Sequence, residues 1–206
     1  SARATTRLFV AAAAGVAAID LAGVVHRDIK PDNILVSSKG KVLIGDFGLV
    51  LKLKGEVEAE AEVDVAGVPP GPFTTRMSDA GALIGTLVYM APEQLRGEGI
   101  DARGDQFSFF VALFEAVCAA RPFQGDDRRA LLAAIARGAP TRQAPWWLRR
   151  VLRRGLNADR DARFTSMSDA RRAMKRWLWW SREGLAIVGA VVVGLVAVAL
   201  LWSRAP

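Results

Sequence analysis

The octapeptide His26-Arg27-Asp28-Ile29-Lys30-Pro31-Asp32-Asn33 is the most informative stretch of this 206-residue chain. Two shorter blocks follow it in order, Asp46-Phe47-Gly48 and then Ala91-Pro92-Glu93. Each block alone would be a modest signal, because short motifs recur by chance. Three blocks in this order and at these spacings are far more specific, so the rest of the chain is interpreted relative to them.

A β-hairpin is predicted between the first two blocks. Two β-prone apolar runs, at 34–36 and 41–44, flank the turn sequence Ser37-Ser38-Lys39-Gly40. Such a hairpin would bring its two ends together and so place Asn33 beside Asp46. Elsewhere, apolar periodicity predicts helices at 5–22, 105–120, 128–137, 145–156 and 167–178.

The three blocks resemble the catalytic loop, the metal-binding loop and the end of the activation segment of eukaryotic-type protein kinases. The resemblance runs from about residue 5 to about residue 176. It implies a mainly α (α+β) fold, the C-terminal lobe of a kinase, with a small β-hairpin at the catalytic cleft. Lys30 matches a lysine of the family's serine/threonine kinases, and the stretch from Gly85 to Glu93 resembles the segment end of bacterial and eukaryotic serine/threonine kinases. The implied reaction transfers the γ-phosphate of ATP to Ser or Thr of protein substrates, with Mg²⁺ as cofactor and Mn²⁺ as an alternative ion.

The resemblance also implies catalytic roles for individual residues. Asp28 matches the aspartate that orients the substrate hydroxyl and accepts its proton. Lys30 matches a lysine near the γ-phosphate, and Thr86 would bridge Asp28 and Lys30. Asn33 and Asp46 match the two residues that hold Mg²⁺ against the ATP phosphates, and Lys30 is counted with them as a nucleotide contact.

Structural and regulatory roles follow from the same resemblance. His26 would support the loop, and Arg27 would pair with a phosphate on an activation segment spanning 46–93. The candidate phosphate acceptors are Thr74, Thr75 and Ser78. Glu93 would form a buried ion pair with Arg163, and Asp105 would hold the main chain of the catalytic loop.

The part of the sequence before His26 lacks three features of a complete kinase. A glycine-rich loop, a strand lysine and a helix glutamate normally clamp the nucleotide, and residues 1–25 contain none of them. We therefore expect a C-terminal lobe without its N-terminal lobe, inactive alone. A non-catalytic scaffold that binds partners through this lobe is the alternative interpretation.

Composition and charge disfavour several other classes of function. The net charge is +7, with arginines concentrated in 121–182. No base-reading motif accompanies them, so nucleic acid is not an expected partner. Cys118 is the only cysteine, which excludes an internal disulfide and favours a packing role for the thiol. Homodimer formation is left open.

A transmembrane helix is predicted at 185–202, which contains no charged residue. Eighteen residues at about 1.5 Å each span about 27 Å, close to the thickness of a bilayer's hydrocarbon core. Basic residues concentrate before it, which favours a kinase lobe in the cytoplasm and a single pass through the inner membrane. The expected organisation is a kinase lobe at 1–178, a basic and aromatic juxtamembrane stretch at 179–184, the membrane helix, and a tail at 203–206.

Overall fold

The computed structural model describes residues 1–46, 51–52, 87–179 and 193, with residues 51, 52 and 179 described through their main chain alone. The predicted catalytic and metal-binding residues Asp28, Lys30, Asn33 and Asp46 are among them. Several other predicted features lie outside the described residues: Phe47, Gly48, Thr74, Thr75, Ser78, Thr86 and the membrane helix at 185–202 apart from Val193.

The described residues are mainly helical, with two small antiparallel sheets. The helices are α1 (Ala2–Leu21), α2 (Pro92–Arg96), α3 (Ala102–Cys118), α4 (Arg128–Ala136), α5 (Trp146–Gly155) and α6 (Met167–Trp179). The strands are β1 (Val24–Val25), β2 (Ile34–Val36), β3 (Val42–Ile44) and β4 (Leu51–Lys52). Short 3₁₀ turns occur at Pro31–Asn33, Thr141–Gln143 and Arg160–Ala162.

Helix α3 forms the centre of the core. Its apolar residues are not confined to one face, which is typical of a helix surrounded by protein, and Phe107, Phe110 and Phe114 are fully buried. The helix starts at Ala102, three residues before the predicted start, because the Asp101 carboxylate accepts the main-chain N–H of Arg103 at 2.8 Å and caps it. Cys118 ends the helix and is half-buried, and burial raises the pKa of its thiol.

Helix α1 packs against α3, α6 and strand β3. Ser1 caps it by accepting the N–H of Ala4, and Ala12, Ala13 and Val16 are buried on the packed side. Within the described part of the chain, α1 alone is long and apolar enough to cross a membrane, a test that buried core helices also pass. Its packing against two other helices fits the predicted core helix.

The predicted hairpin is present. Strands β2 and β3 pair with Ile34 opposite Ile44, Leu35 opposite Leu43 and Val36 opposite Val42. The connecting turn places Gly40 at φ 76°, where a side chain would be strained. The second sheet was not predicted: β1 pairs with β4 in the register Val24 to Lys52 and Val25 to Leu51.

Helices α3 and α5 approach each other closely at one glycine. A Cβ atom added at Gly155 would lie 2.0 Å from Cδ2 of Phe110, well inside van der Waals contact. A side chain there would push α5 away from the central helix, so this position needs glycine for packing. The close contact holds the C-terminal helices against the core that supports the candidate site.

Candidate active site

The loop that carries Asp28 is held by a carboxylate on the central helix. The oxygens of Asp105, in the first turn of α3, accept the main-chain N–H groups of His26 at 2.6 Å and of Arg27 at 2.7 Å. Burial raises the pKa of Asp105 to about 6, although both N–H bonds act in the opposite direction. The carboxylate is therefore ionised at neutral pH, and the interaction predicted for Asp105 is present.

His26 connects this loop to the one that carries Asp46. Its ring is fully buried, and Nε2 lies 3.0 Å from the carbonyl oxygen of Gly45. Since a carbonyl oxygen can only accept, Nε2 carries the proton in this contact. The contact supports both loops at once, which is the structural placement expected for His26.

Asn33 and Asp46 are brought together by the hairpin. The Gly45 N–H donates to the Asn33 carbonyl at 2.9 Å, one step beyond the Ile34–Ile44 pair. Asp46 is therefore the next residue after Gly45, whose main chain contacts Asn33 directly. Asp46 is exposed and has φ 58°, a left-handed conformation that is uncommon for a residue other than glycine.

Asp28, Lys30 and Asn33 form a compact polar cluster. Lys30 Nζ lies 2.7 Å from Oδ2 of Asp28. The Asn33 amide nitrogen donates to the Asp28 carbonyl at 2.7 Å and to its Oδ2 at 3.1 Å. The Asp28 side chain is 10% exposed and that of Lys30 20% exposed, so both remain partly accessible to solvent. This arrangement fixes the carboxylate of Asp28 at the cleft surface.

The donor set at this cleft suits a hard divalent cation. Asn33 and Asp46 offer an amide oxygen and a carboxylate, and Mg²⁺ is usually bound through one or two protein oxygens with phosphates and water completing the octahedron. In the described part of the chain, no group of three or more His, Cys, Asp or Glu side chains is placed to hold a metal ion. The oxygen donors of Asn33 and Asp46 are of the kind that fit a magnesium ion whose other ligands are not supplied by the protein.

The predicted ion pair between Glu93 and Arg163 is also present. Arg163 Nη1 and Nη2 lie 2.6 Å and 2.9 Å from the two carboxylate oxygens of Glu93, and both side chains are almost fully buried. Arg163 also donates to the carbonyls of Asn157, Ala158 and Arg103. Every direction of the guanidinium is thus used, which is what a buried charge requires.

Two further contacts near the cleft were not foreseen from the sequence. The Gln94 side chain accepts the Ala91 N–H at 2.9 Å and donates to the Arg27 carbonyl at 3.3 Å, so it ties α2 to the loop that carries Asp28. The Tyr89 hydroxyl donates to Glu115 on α3. Burial, followed by this hydrogen bond, raises the pKa of Tyr89. No local sequence pattern indicates the contacts of Gln94 with Arg27 and of Tyr89 with Glu115, since the two residues of each pair are distant in the chain.

Comparison with known proteins gives a consistent result. The family model described as protein kinase domain matches residues 1–177. Serine/threonine-protein kinase PknD of Chlamydia caviae is 32% identical over 166 residues, which cover 78% of this chain and 18% of that protein. Serine/threonine-protein kinase PknL of Mycobacterium tuberculosis is 38% identical over 113 residues, covering 55% of this chain and 24% of that protein. The chain thus spans about a fifth of the length of these curated relatives.

Proposed function

This chain belongs to the protein kinase family, and we propose that it supplies the catalytic lobe of a serine/threonine protein kinase. The observation that carries the proposal is the cluster of Asp28, Lys30 and Asn33 held beside Asp46 by the hairpin. The serine/threonine specificity rests on Lys30 and on the names of the relatives.

Each residue of the cluster has a task in the proposed reaction. Asp28 orients a Ser or Thr hydroxyl and takes its proton as the oxygen bonds to the γ-phosphorus of ATP. The bond from that phosphorus to the bridging oxygen breaks, and ADP leaves. Lys30, 2.7 Å from Asp28, is positioned to offset negative charge on the transferred phosphoryl group.

Asn33 and Asp46 would hold Mg²⁺, or Mn²⁺ in its place, at the cleft. The ion would neutralise phosphate charge when bound. The two Asn33 amide N–H contacts with Asp28 orient the side chain, so its oxygen is the atom left for the cation. The same residue thereby couples the metal position to the position of the base.

Turnover by residues 1–206 alone should be negligible, because residues 1–25 lack the parts that clamp the α- and β-phosphates. An apolar surface beside the cleft supports the same view. Leu35, Val36 and Leu43, on the hairpin between Asn33 and Asp46, are each about half exposed. Such a patch fits a surface that a nucleotide-clamping lobe covers.

We also propose that the lobe is anchored to the inner membrane from its cytoplasmic side. The support is the uncharged run at 185–202 together with the basic residues that precede it. ATP is available in the cytoplasm, so the anchor and the activity require the same orientation.

Phosphoryl transfer to a Ser/Thr-containing acceptor protein tests the proposal. Residues 1–206 should be compared with the longer polypeptide encoded upstream in the same reading frame, with and without a Mg²⁺ chelator. We expect Mg²⁺-dependent transfer from the longer polypeptide only. Asp28→Asn in it should lower turnover by about 10²-fold or more, as for a lost general base.

Asp32→Asn is the matched control, because Asp32 is an exposed carboxylate in the same loop. It makes the same change of charge and should leave turnover within about twofold of the unmodified chain. Equal losses in the two variants would contradict the role given to Asp28. Failure of the longer polypeptide to transfer phosphate would favour the non-catalytic scaffold, for which the apolar hairpin surface is the candidate partner site.

A further inference from the structure

A basic groove lies between α5 and α6, in a cavity of about 760 Å³ away from the candidate active site. The residues that give it its character are Arg150, Arg153, Arg154, Arg172, Arg176 and Trp177. The arginines of α5 face those of α6 across the groove, and all five are exposed. None of them has a part in the phosphoryl transfer proposed above.

The positive charge of this groove is only partly compensated. Among the described lining residues, Asp169 is the one carboxylate, and it pairs with Arg172. Arg150, Arg153 and Arg176 have no carboxylate partner within the described residues. Several like charges on facing helices repel one another, so a bound anion would stabilise the folded arrangement.

The chemistry of the groove suits a phosphate group. Arg154 is held in place, since its guanidinium lies 4.5 Å from the centre of the Phe164 ring and Nε donates to the Arg163 carbonyl at 3.3 Å. A guanidinium fixed in this way loses little freedom when it binds an oxyanion, and arginine can offer two parallel N–H donors to phosphate. Neutral Asn157 and Thr165 complete the polar lining.

We propose that this groove binds the phosphate headgroup of an acidic membrane lipid. Trp177 lines the groove with a half-buried ring, and tryptophan favours the boundary between lipid and water. From the end of α6 at Trp179, the chain reaches Leu185 in six steps, which span at most about 21 Å. The groove therefore lies close to the cytoplasmic leaflet, whose anionic lipids attract basic side chains.

The proximity argument rests on the membrane segment proposed above, whereas the charge and geometry of the groove do not. The test therefore measures lipid binding and not phosphoryl transfer. The full chain in neutral detergent micelles is titrated with dihexanoyl phosphatidylglycerol, dihexanoyl phosphatidylcholine, sodium phosphate or a phosphoserine peptide. Bound molecules are counted by native mass spectrometry.

We expect phosphatidylglycerol to bind at least about tenfold more tightly than phosphatidylcholine, and to bind more weakly as salt is raised. The triple variant Arg150→Gln, Arg153→Gln and Arg176→Gln should lose at least about tenfold in affinity for phosphatidylglycerol. The matched control changes Arg128, Arg129 and Arg137 to Gln. These three are exposed residues in and at the end of α4, and the control should bind as the unmodified chain does.

Several outcomes would overturn the proposal. Equal binding by the groove variant and the unmodified chain, or equal losses in the two triple variants, would show that the groove is not the site. Sodium phosphate or the phosphoserine peptide binding as tightly as phosphatidylglycerol would exclude a lipid as the preferred ligand. If the triple variant unfolds, Arg176→Gln alone should still lower the affinity several-fold, and an unchanged affinity would refute the proposal. Asp28→Asn should bind lipid normally, which separates this result from that of the kinase test.

Discussion

Arg163 and Glu93, which are 70 residues apart in the chain, face each other through two parallel hydrogen bonds of 2.6 Å and 2.9 Å in the interior of the fold. Glu93 lies on α2, at the end of the predicted activation segment, and Arg163 precedes α6. The guanidinium also lies over the Phe107 ring at 4.9 Å, so the pair reaches the central helix. The pair thereby joins α2 to the chain segment before α6 through the core.

Arg163→Ala should destabilise the fold by about 3–5 kcal/mol, because it leaves the buried Glu93 carboxylate without its partner. Arg163→Lys should also be destabilising, since an ammonium group cannot donate in the planar, two-pronged geometry. Urea unfolding of the full chain in neutral detergent, followed by circular dichroism, measures both changes.

Arg96→Ala is the control for this prediction. Arg96 pairs with Glu98, but both side chains are about half exposed. An exposed pair contributes at most about 1 kcal/mol, so this variant should unfold close to the unmodified chain. A loss in Arg163→Ala no larger than in Arg96→Ala would show that the buried pair is not a major source of stability.

Asp105→Asn should destabilise the fold, because an amide offers only one oxygen to the two N–H groups of His26 and Arg27. Leaving one buried N–H against an NH₂ group costs about 1–3 kcal/mol. The variant should also slow phosphoryl transfer by the longer polypeptide, since the loop that carries Asp28 loses a support.

The loss in Asp105→Asn should depend on pH. Burial raises the pKa of Asp105 to about 6 in the folded chain, above the ordinary value of about 3.9 for an unfolded aspartate. The folded chain then binds this proton more tightly, so the associated stability is full below about pH 4 and is lost as the pH rises through about 6. Asparagine does not titrate, so the destabilisation should be larger at pH 4 than at pH 7. A difference that is constant or grows between pH 4 and pH 7 would contradict the raised pKa.

Phosphate on the predicted activation segment should accompany activity in the longer polypeptide. The expectation follows from Arg27, which the resemblance assigns to pairing with phosphate on Thr74, Thr75 or Ser78. Mass spectrometry of the active enzyme should find phosphate within residues 73–86. Arg27→Gln should lower the activity of the phosphorylated form more than that of the unphosphorylated form. An active enzyme without phosphate on residues 73–86 would contradict this prediction.

The membrane topology predicted from the flanking charges can be tested with reporter-enzyme fusions. Basic residues are concentrated on the N-terminal flank of 185–202, where they include Arg171, Arg172, Lys175, Arg176 and Arg182. Alkaline phosphatase, active only outside the cytoplasm, should therefore be active when fused after Pro206 and inactive when fused after Leu178. The reverse pattern would contradict both the topology and the proposed location of the lobe.

Local patterns accounted for much of the fold. The alternation of β-prone runs around Ser37-Ser38-Lys39-Gly40 predicted the hairpin, and apolar periodicity predicted five helices within a few residues of their bounds. The start of α3 was predicted three residues too late, because Asp101 caps the helix and α3 begins at Ala102. The pairing of β1 with β4 was missed because two residues in each strand leave no periodicity to detect.

The candidate site was predicted through motifs more than through periodicity. The identities and order of Asp28, Lys30, Asn33 and Asp46 indicated a phosphoryl-transfer site, and the partners predicted for Asp105 and Arg163 are the ones found. The roles of Thr74, Thr75, Ser78 and Thr86 remain predictions, since these residues lie outside the described part of the chain.

The sequence by itself determined the family and the residue types that carry the proposed chemistry, because both reside in short motifs with characteristic spacing. The tertiary structure alone decided three other features: Gln94 tying α2 to the Arg27 carbonyl, Phe110 packed directly against Gly155, and five arginines gathered in one groove. The physical reason is that a partner distant in the chain is chosen by how whole helices pack. No local pattern records that choice, since it depends on the side chains of every element in the core.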